Sequence, residues 1–159
     1  MTPQEEQYVH FVSSTDNLNN AWRILQHIKE YKGSSLAGPA FQFALVEYSK
    51  PYRNSRGTVG KGVMYKLEDV HIPAEHRELH KRILAARDQI HAHSDLTVKE
   101  AKLYVVNTAS GRYASRVQKA IRGTEDLSNI DSIIELIEQT LDSMYIEVKR
   151  LEAALPIHS

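Results

Sequence analysis

Cysteine is absent from all 159 residues. That excludes disulfides, thiolate zinc sites and cysteine nucleophiles together. Long apolar runs are missing too. None approaches the roughly 20 residues that a membrane helix needs, so no membrane span is expected. The opening stretch MTPQEEQYVH is acidic and polar, unlike a secretory signal. A cytoplasmic protein is expected. The chain also lacks an excess of either charge, with Lys+Arg and Asp+Glu at 20 each. Such a balance argues against a protein dedicated to coating DNA, though not against a local RNA site. There is no internal repeat and no low-complexity tract. At this length a single domain is expected, residues 1–159, with enough chain for a real core.

The balanced total conceals a split. Residues 50–123 carry a net charge of +8, and residues 124–159 a net charge of −6. Either the two segments attract one another, or the middle faces a polyanion.

Hydrophobic spacing predicts four helices. The first is expected to start near Ser14 to Asp16, any of which could cap it, with YVHF before it as an extra turn. Leu18, Ala21, Trp22, Leu25, Ile28 and Tyr31 repeat at three and four, and Gly33 stops it. The second runs from Gly38 or Pro39 to Ser49, where Pro51 ends it. The third lies within Pro73 to Asp95, with Pro73 at its first position and Leu79, Ile83, Leu84 and Ile90 as its apolar stripe. The last, capped by Ser128 or Asn129 and closed by Pro156, carries a near-continuous stripe from Ile130 to Leu155. It is expected to pack on the central helix or on another chain.

Between the second and third helices lies PYRNSRGTVGKG. It is expected to be a mobile loop, because few of its side chains can anchor a core. It resembles a phosphate loop only superficially, lacking both the glycine spacing and the Gly-Lys-Ser/Thr ending. Between the third and last helices the period changes. Leu103 and Val105 alternate with polar neighbours, and Asn107 to Gly111 is rich in turn residues. A β-hairpin is expected, 102–106 paired with 112–118. The fold class is therefore all-α: an antiparallel four-helix bundle with a short hairpin between the last two helices.

The third helix concentrates titratable groups in RDQIHAH, from Arg87 to His93. On an unbroken helix Arg87 and His91 share a face, whereas His93 meets Arg87 only if the helix unwinds near its end. One reading is capping: the histidines favour the helix dipole, and Arg87 pairs with the acidic last helix. A metal reading would use His76 and His80 at i,i+4. However, the zinc-protease pattern needs glutamate after the first histidine, and Arg77 stands there. No metal and no cofactor are expected.

Arg87, Asp88 and His93 also form the pattern R-D-x4-H near a helix end in an all-helical domain. In this the chain resembles the HEPN superfamily (higher eukaryote and prokaryote nucleotide-binding domains). The hairpin is an addition to that fold, and His91 is a second candidate histidine. The resemblance implies metal-independent RNA cleavage at a composite cleft of a homodimer, with the ribose 2′-OH attacking the neighbouring phosphate, in a toxin or defence system. It implies catalytic roles for Arg87 and His93, an orienting role for Asp88 and an auxiliary one for His91. These residue types suit the chemistry. Histidine moves protons near neutral pH, and arginine holds phosphate oxygens with a planar fork. Arg53, Arg56 and Lys61 could grip backbone phosphates, and Tyr52 could stack a base. The alternative is a non-catalytic dimeric adaptor, binding a partner protein such as an antitoxin, or a nucleotide.

Overall fold

The computed structural model describes residues 1–31, 33–60, 62–91, 102–117 and 126–156, of which 89–91 and 116–117 are described by backbone only. The described chain is mostly helical, with four α-helices and two small antiparallel hairpins.

The first helix, α1, spans Pro3–Glu30 and so begins a full eleven residues before the capping serine expected from sequence. The start is set by Thr2-Pro3-Gln4-Glu5. The Thr2 hydroxyl accepts from the Glu5 amide at 3.3 Å, and the Thr2 amide donates to the Glu5 carboxylate at 2.6 Å. Pro3 occupies the first helical turn, where its missing N–H costs nothing. YVHF thus belongs to the helix itself. The second helix, α2, spans Ala37–Ser49, and Pro51 falls in the 3-10 turn Lys50–Tyr52 that follows it.

Strands β1 (Ser55–Arg56) and β2 (Met64–Tyr65) form the first hairpin. Pro73 does not open the third helix directly. A 3-10 turn, Ala74–His76, intervenes, and α3 spans Arg77–His91. The second hairpin pairs β3 (Lys102–Thr108) with β4 (Gly111–Val117); at the turn end β3 runs two residues and β4 one residue further than expected. Its two-residue turn requires Gly111, whose φ of +137° is open to glycine alone at little cost. The last helix, α4, spans Ile130–Ala153. Asn129 stands at its N-cap position, one of the two residues expected there, and Asp126 caps the 3-10 turn Leu127–Asn129 before it, accepting from the Ser128 amide at 2.9 Å.

Helix α1 packs against both α2 and α4, and α2 packs against α3. The apolar stripe of α4 meets α1, which offers Leu18, Ala21, Leu25 and Ile28 along its length. These join Leu45, Ile83, Ile133, Ile137 and Met144 in one buried cluster. Among the described residues no helix is long and apolar enough to cross a membrane.

Candidate functional site

Arg87 and Asp88 lie near the C-terminal end of α3 on its solvent side. Asp88 Oδ1 accepts from Arg87 Nη1 at 3.2 Å and from Arg53 Nη2, whose residue sits just after the α2 turn and 35 positions earlier in sequence. One carboxylate oxygen thus gathers two guanidiniums. These two bonds, Arg53 first, hold the Asp88 carboxyl below its ordinary value. Arg87 does not reach the acidic last helix in this pairing. The side chains remain reachable, with Arg87 30%, Arg53 43% and Asp88 52% exposed.

Arg53 also lines a cleft of about 590 Å³ between α1, α4 and the segment that follows α2. Lys50, Lys66, His10, Tyr65 and His71 line it as well. His10 and Tyr65 stack with ring centroids 4.2 Å apart and planes 14° apart. His71 Nδ1 lies 3.0 Å from Ser143 Oγ, and burial pushes its pKa down against the opposing pull of Glu147 and Glu68. Glu68 and Glu147 line it too, so the wall carries both charge signs. Neither His10 nor His71 was distinguishable in sequence, since each stands alone among unremarked neighbours and acquires the cleft only through folding.

The loop after α2 is anchored, contrary to expectation. Glu6, in the first turn of α1, accepts from the Thr58 amide, from the Thr58 hydroxyl at 2.6 Å, from the Val59 amide at 3.1 Å and from the Tyr65 hydroxyl at 3.0 Å. These donors, led by the Thr58 hydroxyl, pull its pKa down to about 2. Gly57 leaves room for the clasp: a β-carbon there would come within 2.8 Å of both Glu6 Oε2 and the Tyr65 ring. The anchor is a side chain some fifty residues away acting on backbone N–H groups, which loop composition does not reveal. Arg56 is held exposed in β1 as a result.

Tyr52 corrects the expectation of base stacking. It is 3% exposed, with its ring centroid 4.5 Å from that of His80 and 5.5 Å from that of Tyr48. No face is left for a base. Tyr48, fully buried, places its hydroxyl 2.8 Å from His80 Nδ1, and burial lowers the His80 pKa despite Asp69 nearby. His80 is thus a core residue. Among the described residues no group of three or more His, Asp or Glu could hold a metal ion.

His91 closes α3, and its side chain falls outside the description. His93 and Lys61 lie outside the described residues. The structure therefore brings together Arg87, Asp88 and Arg53, and keeps Arg56 on the neighbouring hairpin. No family model, no curated protein sequence and no solved structure matches the chain.

Proposed function

We propose that the chain is a HEPN-like, metal-independent endoribonuclease that acts as a homodimer, its helices forming an antiparallel four-helix bundle. The observation that carries this reading is the convergence of Arg53 and Arg87 on Asp88, near the end of α3 and beside the cleft that Arg53 lines. Two guanidinium forks at one surface point suit a phosphodiester.

In this reading the scissile phosphate takes the place of Asp88 on Arg53, while Asp88 keeps its bond to Arg87. His93 removes the proton from the ribose 2′-OH, the O2′–P bond forms and the P–O5′ bond breaks. The leaving 5′-oxygen takes up a proton, leaving a 2′,3′-cyclic phosphate and a 5′-hydroxyl. Arg87 stabilises the charge that develops on the phosphoryl oxygens. Asp88 orients Arg87, and His91 is auxiliary. Arg53, Arg56 and Lys61 track the flanking phosphates, and the second subunit supplies a second Arg/His pair. Cleavage of a mixed RNA pool without divalent metal, by wild type and by Arg87→Ala/His93→Ala, tests it. The reading requires cyclic-phosphate products from wild type alone, and equal cleavage by both proteins would falsify it.

A second reading, a non-catalytic adaptor that dimerises or binds a partner protein, is favoured by one observation: Tyr145 and Ile146 are exposed side by side on α4. Light scattering across a dilution series separates the two. A strict monomer that co-purifies with nothing counts against the adaptor.

A further inference from the structure

The hairpin β3–β4 takes no part in the site above. Its register runs from Lys102↔Val117 to Thr108↔Gly111. Because side chains alternate across a strand, Lys102, Tyr104 and Val106 share one face with Tyr113 and Ser115. Tyr104 opposes Ser115 and Tyr113 opposes Val106, so the two tyrosines are diagonal neighbours, about 7–8 Å apart in such a ladder. Both are more than half exposed, at 51% and 56%, and Val106 is exposed on the same face. A lone two-stranded hairpin is marginal in water, and apolar surface gathered in this way marks a contact site.

Charge identifies the partner. Residues 102–117 hold Lys102, Arg112 and Arg116 and no acidic residue. Pairing with a second copy would set these three cations against the same three, with no carboxylate between them, and like charges across strands destabilise. A polyanion bearing flat rings removes both difficulties, since phosphates meet the cations and bases stack on the tyrosines. We infer that the β3–β4 hairpin is an arm that binds single-stranded nucleic acid, stacking bases on Tyr104 and Tyr113 and holding a phosphate with Lys102, which shares their face. The strand must be unpaired, because in a duplex the base faces are already covered by one another. That the strand is RNA rests on the ribonuclease reading, for which the arm defines unpaired RNA as the substrate class.

The experiment uses the full chain and fluorescein-labelled 2′-O-methyl oligouridine of about 12 nucleotides, a length within single-strand site sizes. This probe lacks the attacking hydroxyl and is not cut. Anisotropy is read between about 50 and 200 mM salt, with a 2′-O-methyl duplex of equal length as comparison. The single strand is expected to bind more tightly than the duplex. Tyr104→Ala and Tyr113→Ala each weaken it about tenfold, and Lys102→Glu lowers the salt slope by about 0.7. All three side chains are exposed, and circular dichroism checks that the fold is kept. Equal affinity of wild type and Tyr104→Ala/Tyr113→Ala overturns the inference. So does a dimer that the double variant dissociates without loss of oligonucleotide binding, which would make the hairpin a contact between copies. Tyrosine-dependent binding by a chain that cleaves no RNA supports the arm and removes the nuclease. RNA cleavage with binding that ignores the tyrosines retains the nuclease and overturns the arm.

Discussion

Asp88→Asn separates a phosphate site from a surface ion pair. The substitution keeps the side-chain shape and removes the charge that Arg53 and Arg87 share. Because all three side chains are 30% exposed or more, each pair contributes only about 0–1 kcal/mol to stability. Tm should therefore fall by no more than a few degrees, at about 2–4 °C per kcal/mol for a chain of this size. RNA binding should move the other way. A carboxylate about 4 Å from a guanidinium in water is worth about 1 kcal/mol, and a phosphate must displace it. Freeing Arg53 predicts about 5-fold tighter RNA binding and a salt slope steeper by about 0.7. Cleavage should nevertheless fall, since Asp88 no longer orients Arg87. Fluorescence anisotropy with an uncleavable oligonucleotide, run beside a cleavage assay and a thermal melt, reads all three quantities. Unchanged or weaker binding with an intact melt would refute the assignment of Arg53 to phosphate.

Tyr48→Phe removes a fully buried hydroxyl 2.8 Å from His80 Nδ1 and opens no cavity of ring size. Stranding the imidazole should cost about 1–3 kcal/mol, seen as a lower urea midpoint at unchanged slope, and an unaltered midpoint would show that the bond contributes nothing. His80 has its folded pKa below the ordinary 6.5, so on acidification the unfolded chain binds the proton first. Stability should be full above about pH 6.5 and decline as pH falls below it, and His80→Gln should flatten that decline in urea titrations between about pH 7.5 and 5.5, one unit either side. Glu6 acts in a separate window. With a folded pKa of about 2 against an ordinary 4.5, its contribution is present above pH 4.5 and is lost as pH falls through 2. Glu6→Gln should therefore show a shallower acid loss than wild type below pH 4.5, and parallel curves would count against the clasp.

Legibility in the sequence followed the range of the interactions. The stripes of α2 and α4 were readable because period 3.6 is written into Phe41, Leu45 and Tyr48 and into the isoleucines from Ile130 onward. The hairpin was readable because alternation gives way to a turn cluster ending in Gly111. The start of α1 is signalled by Thr2, Pro3 and Glu5, which spell a capping box, but the residues after it carry no continuous apolar stripe until Leu18. Other features depend on contacts that no local pattern carries. Glu6 reads as one acid among several in a helix start, and only the fold brings Thr58 and Tyr65 to it. Arg53 reads as a loop cation, and Asp88 as part of a motif, yet they meet across 35 positions. Tyr52 was misjudged because a tyrosine after a proline in a basic loop looks exposed, while the 3-10 turn rotates it onto His80.

The choice between mutual attraction and a polyanion for the basic middle segment can be argued from where the acids go. On α4, Glu147 pairs with Arg150 and Glu152 with Lys149, while Asp131 reaches Lys29 of α1 and Glu138 accepts from Trp22. These partners lie on α4 or α1. In the middle segment Arg53 and Arg87 share Asp88, Lys81 pairs with Glu78, and Lys50 with Glu47 of α2. Those pairings are short in sequence or internal to the segment, so among the described residues these contacts do not set the basic middle segment against the acidic C-terminal one. Two of the segment's charged surfaces, the Arg53–Arg87 pair and the acid-free β3–β4 hairpin, are left exposed at different points of the molecule. Charge held outward in this way raises the local concentration of an anionic ligand and speeds its encounter. A polyanion long enough to touch both surfaces would gain from each, which a mononucleotide would not. Affinity that rises with oligonucleotide length beyond the few nucleotides needed to cover either surface alone is the behaviour this arrangement requires.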